Sequence, residues 1–223
     1  LNRISLGYQY TKLMADQGYR LIDLNMIEPF RIEDKKFQPS SIVFERDERM
    51  YAIRSDWTRS LLNFNEAYFL EDRLFCYYGP VIRNYRSFYQ AGVELYQPST
   101  DEIVNSIKLH LDFIKKQAEQ QNRVLRSLVA NNDYLIDLYL EKYDLNNEIR
   151  FLIYDKNLSE LKEKLGADHP LYKLLSTRVS QQFNLIQQEF SDDARMKLIN
   201  QIKNIAEQDQ IKFMLDLSFR SPQ

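Results

Sequence analysis

Apolar positions along the chain follow two different periods. Residues 74–95, LFCYYGPVIRNYRSFYQAGVEL, carry dense apolar and aromatic runs bounded by Gly79-Pro80 and Asn84. They read as two strands, Leu74–Tyr78 continuing through Val81–Arg83 and then Phe88–Leu95, joined by a very short turn. Before them, Leu1–Gln17 has helical spacing at Ile4, Tyr8 and Leu13, and Gly18 ends it. Tyr19–Leu24 reads as a strand, and Arg31–Ser41, with Pro39, as a polar loop. Ile42–Phe44 and Tyr51–Ile53 flank the charged Glu45–Met50 and predict a hairpin. The strand then ends at Arg54 and turns at Ser55-Asp56 into a helix that Asp56 or Thr58 can cap. After Pro98–Asp101 the period becomes helical. Ile103, Ile107, Leu111, Ile114 and Ala118 mark one stripe. A strand at Val124–Val129 precedes helices at Asn131–Tyr143, Asn146–Tyr154, Leu158–Leu165, Leu171–Phe190 and Asp193–Gln208. Ile211–Leu217 reads as a final strand. The pattern predicts an α+β protein: a sheet domain over 1–130, a helical insertion over 131–208, and a returning strand of the sheet domain over 209–223.

Composition narrows the function classes. The 223 residues hold 30 Lys+Arg against 32 Asp+Glu, a net charge of −2, with no basic run of the kind a nucleic-acid surface needs. No long apolar span or leader is evident, so a cytoplasmic protein is expected. The single cysteine, Cys76, lies in an apolar strand and reads as a buried, reduced thiol. His110 and His169 lack cysteine partners, so no metal site is expected, and His110 reads as structural. The five glycines are scattered, with no phosphate-binding loop, and no cofactor is expected.

Candidate chemistry concentrates on the strand pair within Leu74–Leu95. Gln90 and Glu94, four apart, face one side of an extended strand, and Arg83 on the paired strand shares that side. One cation, one amide and one carboxylate on a sheet make a site shaped for an amino acid. Spacing alone favours a plainer reading, in which Asp56 only caps a helix and Arg83–Glu94 is a cross-strand ion pair. Trp57, at the Ser55–Thr58 corner, reads as a core or interface aromatic rather than a ligand-stacking residue.

Arg54-Ser55-Asp56-Trp57-Thr58 after a strand, followed by Tyr77-Tyr78-Gly79-Pro80-Val81-Ile82-Arg83 and Tyr89-Gln90-Ala91-Gly92-Val93-Glu94-Leu95, resembles the catalytic domain of histidyl-tRNA synthetase. More narrowly it is similar to the synthetase paralogues that serve as regulatory subunits of ATP phosphoribosyltransferase. Synthetases carry R-P-E-G-T at the first segment and the regulatory proteins usually R-P-D-x-T; Asp56 follows the latter, and Ser55 replaces the proline. At the second, Arg83 keeps the family arginine, Tyr85 replaces a glutamate, and only Asn84–Ser87 remains of a long loop. The run Gln17–Glu28 resembles the first class II motif, whose helix and strand form a dimer interface. The resemblance implies a class II synthetase-like antiparallel sheet flanked by helices, with a helical insertion. It further implies a histidine site at Asp56, Thr58, Arg83, Gln90 and Glu94, no catalytic residues, and a dismantled ATP site. The partners implied are a short-form catalytic subunit, in a hetero-octamer with homodimers of this chain, and histidine as ligand. The function implied is activation of that subunit and histidine feedback inhibition. The alternative is a divergent or fragmentary histidyl-tRNA synthetase. The family's next strands, with its third class II motif, would follow Gln223, so a longer natural protein is expected.

Overall fold

The computed structural model describes residues 2–31, 41–68 and 71–219; the expected polar loop Arg31–Ser41 lies, from 32 to 40, outside them. The chain packs as two compact units, Leu1–Ser99 and Thr100–Gln223. The division falls ahead of the boundary at residue 130 read from the sequence.

In the first unit α1 (Arg3–Asp16) is capped by Asn2, whose side chain accepts from the Ile4 N–H. It buries Gly7, Tyr10 and Met14, while Ile4 and Tyr8 stay 82% and 67% exposed. The helical period is as read, but the inward face is a neighbouring one. β1 (Arg20–Leu21), β5 (Leu74–Arg83) and β6 (Arg86–Leu95) form one sheet, with β1–β5 parallel and β5–β6 antiparallel. β2 (Ile27–Pro29), β3 (Val43–Arg46) and β4 (Arg49–Ile53) form an antiparallel second sheet in the order β2-β4-β3. The β3–β4 turn is Asp47-Glu48, both at positive φ, and it feeds α2 (Trp57–Tyr68) through Arg54–Asp56.

β5 runs unbroken through Gly79-Pro80, where the sequence suggested an interruption. The Pro80 carbonyl accepts from Arg54 Nε and Nη2 at 3.2 and 3.1 Å. Backbone N and O of one strand residue point to the same side, so the missing N–H also faces Arg54 and no bond to β6 is lost. The β5–β6 connection is two residues, Asn84 and Tyr85, because Arg83 faces Arg86. Both residues have positive φ, 51° and 60°, as a type I′ hairpin requires.

The second unit opens with α3 (Thr100–Glu119), which buries Ser106, Leu111 and Gln117 and leaves Ile114 exposed. Six further helices follow β7 (Ser127–Ala130): α4 (Tyr134–Lys142), α5 (Glu148–Tyr154), α6 (Leu158–Leu165), α7 (Pro170–Ser176), α8 (Val179–Phe190) and α9 (Met196–Gln208). The expected helix over Leu171–Phe190 is split, because Thr177 and Arg178 adopt extended backbone. The Thr177 hydroxyl donates to the Lys173 carbonyl and closes α7 there. β8 (Lys212–Leu215) pairs in parallel with β7, so 209–223, read as returning to the sheet domain, contributes its strand to a two-stranded sheet of this unit. The core is built on Leu135, Leu138, Ile153, Leu161, Ile199 and Leu215, with the rings of Tyr139 and Phe183 among them. Among the described residues no helix is long and apolar enough to cross a membrane.

Candidate functional site

The register of the β5–β6 hairpin places Tyr77, Gly79, Val81 and Arg83 on the same face as Gln90, Gly92 and Glu94. The N-terminus of α2 packs on this face, where Trp57 and Leu61 join Tyr77 and Val81 in a buried cluster. Polar groups gather along the rim of that contact. One oxygen of Asp56 accepts the Arg59 N–H at 3.1 Å and caps α2. The other accepts from Arg83 Nη2 at 3.1 Å, and the Arg83 guanidinium also donates to the Ser55 carbonyl at 3.0 and 3.3 Å. Thr58 donates its hydroxyl to Glu94 Oε1 at 2.5 Å. Gln90 Nε2 donates to the Tyr77 hydroxyl at 3.5 Å. Among the described residues Gln90 Oε1 is buried without a partner.

Burial pushes the Glu94 carboxyl above the usual carboxylate range, and the nearby Asp56 charge adds to this. Hydrogen bonds from Thr58 and Tyr77 act in the opposite direction. A buried acceptor without a donor and a carboxylate raised by desolvation both cost stability. Both favour a ligand that brings N–H groups.

The hairpin and the helix cap thus bring Asp56, Thr58, Arg83, Gln90 and Glu94 onto one surface. Asp56 is a cap and an ion-pair partner at once. The cross-strand pair Arg83–Glu94 does not form: Glu94 faces Phe75, while Arg83 stands at the far end of β5 opposite Arg86, roughly 26 Å of strand away. Trp57 is fully buried, between the Arg54 guanidinium, 3.6 Å from its ring centre, and the Tyr77 ring at 4.9 Å. It is a core aromatic. Sequence reasoning missed Tyr77, whose hydroxyl lies among Thr58, Gln90 and Glu94. The available signal was strand parity, since residue 77 faces Gly92, midway between the two chosen positions.

The histidines act locally. His110 Nδ1 lies 2.7 Å from the Ser106 carbonyl, and His169 caps α7 by accepting the Leu171 N–H. Burial pushes the Cys76 thiol up to about 11, so it is unreactive at neutral pH. A cavity of about 310 Å³ in the first unit runs along Ser60, Asn63 and Ala67 of α2 rather than Thr58.

The family model described as histidyl-tRNA synthetase matches residues 3–221. The chain belongs to that family. Among curated relatives, the "ATP phosphoribosyltransferase regulatory subunit" of Staphylococcus aureus (strain MRSA252) is 27% identical over 189 residues, covering 82% of this chain and 68% of the relative. The protein of the same description from strain Newman matches to the same extent. Among solved structures, the ATP phosphoribosyl transferase (HisG:HisZ) complex from Thermotoga maritima superposes with a TM-score of 0.71 at 15% identity, covering 98% of this chain and 82% of that one. Histidyl-tRNA synthetase from Nostoc sp. PCC 7120 superposes with a TM-score of 0.66 at 15% identity, covering 98% and 58%. The fold is that of the class II synthetase-like proteins.

Proposed function

We propose that the chain is a non-catalytic regulatory subunit of ATP phosphoribosyltransferase. It activates a short-form catalytic subunit and carries histidine feedback inhibition of histidine biosynthesis in the cytoplasm. The observation that carries this reading is the similarity, over 82% of the chain, to curated proteins described as that regulatory subunit. The hairpin adds support. In synthetases the arginine strand leads into a long loop, whereas here Asn84 and Tyr85 alone make the turn, and Tyr85 is 91% exposed. Losing a loop that carries preorganised charge removes several powers of ten in rate.

The amino-acid side keeps its donors and acceptors. In the proposed complex the ligand carboxylate meets Arg83, its ammonium meets Asp56, Thr58 and Gln90 Oε1, and an imidazole N–H meets Glu94. Feedback then requires that histidine bind one assembly state more tightly than the other. The assembly proposed is a hetero-octamer with dimers of this chain at its centre.

The test is phosphoribosyl-ATP formation by a short-form catalytic subunit from the same genome, with and without the full-length protein, across a histidine titration. Activity that appears on mixing and falls with histidine is the expected result; no activation and no complex would overturn the reading. A second reading, a divergent synthetase, draws on the family model itself. Histidine-dependent exchange of pyrophosphate into ATP would establish it.

A further inference from the structure

A small cavity lies wholly within the second unit. Its volume is about 100 Å³, and it opens between the α5–α6 turn, the link from α7 to α8 and the residues that follow β8. Ile153, Leu161 and Leu175 line it, the first two almost without exposure. Lys156, Thr177, Gln182, Asp216 and Ser218 line it as well. Gln182, Asp216 and Ser218 are 3%, 8% and 8% exposed, and polar side chains buried to that degree need partners. The lining thus joins apolar side chains to a few polar ones, as ligand sites do.

Two of these side chains keep acceptor capacity to spare. Asp216 Oδ1 accepts the Ser218 N–H at 3.0 Å and the Ser218 hydroxyl. Among the described residues Oδ2 accepts from Lys156 Nζ alone, at 3.3 Å. A close ammonium–carboxylate bond is about 2.7–2.9 Å, and the Lys156 side chain is 64% exposed, so this contact is loose and replaceable. The carboxylate is ionised all the same: burial pushes it up, and bonds from Ser218 and Lys156 bring it below the ordinary range. Gln182 Nε2 donates to the Thr177 carbonyl at 3.3 Å, and Gln182 Oε1 has no partner among the described residues. The hydroxyls of Thr177 and Ser218 give their hydrogens to the Lys173 carbonyl and to Asp216. The group that Asp216 already draws from the solvent side is an ammonium.

We infer that this cavity binds a small aliphatic primary ammonium compound. Its head displaces Lys156 from Asp216 Oδ2, with Gln182 as a second acceptor, and its short tail packs on Leu161 and Leu175. Size sets the class: an apolar cavity of about 150 Å³ takes benzene, so one of about 100 Å³ takes roughly four heavy atoms. Water by itself finds no partner on the leucines, whereas a guest with a charged head and an apolar tail uses the whole lining. The site is independent of the amino-acid site proposed on the first unit. Its occupant ties the α5–α6 turn, the α7–α8 link and the end of β8 together, so binding stabilises the second unit by mass action.

The probe is n-propylammonium chloride, added to full-length protein labelled for NMR. 1-Propanol serves as its neutral match in size and sodium chloride as the salt control. The methyl signals of Leu161 and Leu175 and the side-chain amide of Gln182 report occupancy. In the wild type propylammonium should shift these signals saturably, and propanol should bind about tenfold more weakly because it brings no charge to the carboxylate. Lys156→Met removes the internal competitor and should tighten propylammonium about threefold, the scale of an exposed ion pair. Asp216→Asn keeps an acceptor for Ser218, removes the charge and should erase the preference for propylammonium over propanol. Position 156 is exposed, so Lys156→Met carries the test even where Asp216→Asn does not fold. No saturable shift in the wild type, equal binding of the two probes, or weaker binding by Lys156→Met would overturn the inference. Cross-relaxation from water at the two leucines with no response to propylammonium would show a water-filled cavity and would sink it equally.

Discussion

Glu189, Asp193 and Asp216 of the second unit lie below the ordinary carboxylate range, whereas Glu94 of the first lies above it. In the second unit Glu189 lies below the ordinary range although burial pushes it up, because Tyr143 and Lys142 bond to it. Asp216 is similar: burial raises it, and bonds from Ser218 and Lys156 more than reverse this. Asp193 is held low by Arg195. In the first unit Glu94 is raised by burial that its hydrogen bonds do not offset. Carboxylates pulled down by partners stabilise the fold at neutral pH, whereas one pushed up subtracts from it. The shifted carboxylates of the second unit thus add to its stability, whereas Glu94 subtracts from that of the first, as a binding-site carboxylate does.

Variants that erase this contrast should have graded effects. The largest is expected in the second unit's core. Ile199 is fully buried, and Ile199→Ala should cost about 2–5 kcal/mol in denaturant unfolding while leaving ligand affinity unchanged. Gly79→Ala strikes the other unit by forcing Trp57 aside, and overpacking of this kind costs about 1–3 kcal/mol. It should also weaken histidine binding, which separates it from the core variant. Asp216→Ala leaves Ser218 and Lys156 without their acceptor and should destabilise by about 1–3 kcal/mol.

Glu94→Gln sharpens the comparison most directly. The folded state holds the Glu94 proton to higher pH than the unfolded chain, so its contribution to stability falls as pH rises through the window above the ordinary glutamate range. The amide should remove that slope and raise the melting temperature at neutral pH by a few degrees. In the activation assay it should weaken histidine inhibition. A lower melting temperature would show that Glu94 is structural. The smallest effect belongs to His169, whose pKa burial lowers while its Nδ1 accepts the Leu171 N–H. The neutral form is the one that caps. Its stabilisation is therefore present above the ordinary histidine value and lost as pH falls through the lowered one; His169→Asn should flatten this part of a pH–stability curve.

Much of the site was legible before the fold. Local patterns put Gln90 and Glu94 on one strand face and Asp56 or Thr58 at a helix start; the resemblance joined them with Arg83 into one candidate site, and the structure places the five along one surface. What was misread is non-local. Arg83 seemed able to meet Glu94, but hairpin register separates them and Asp56 takes the arginine. Tyr77 looked like one more strand aromatic, because only the packing of Trp57 over Gly79 and of Tyr77 itself across Gly92 shows where its hydroxyl goes.

The chain's periodicity and turn chemistry determined by themselves that helices, strands and a capped corner occur in this order, since backbone dihedrals and side-chain alternation depend on near neighbours. Packing alone decided which face of α1 turned inward, that β5 passes through Pro80 unbroken, and that β8 pairs with β7. Each depends on a partner distant in sequence. A hydrophobic period states that a face will be buried without stating against what.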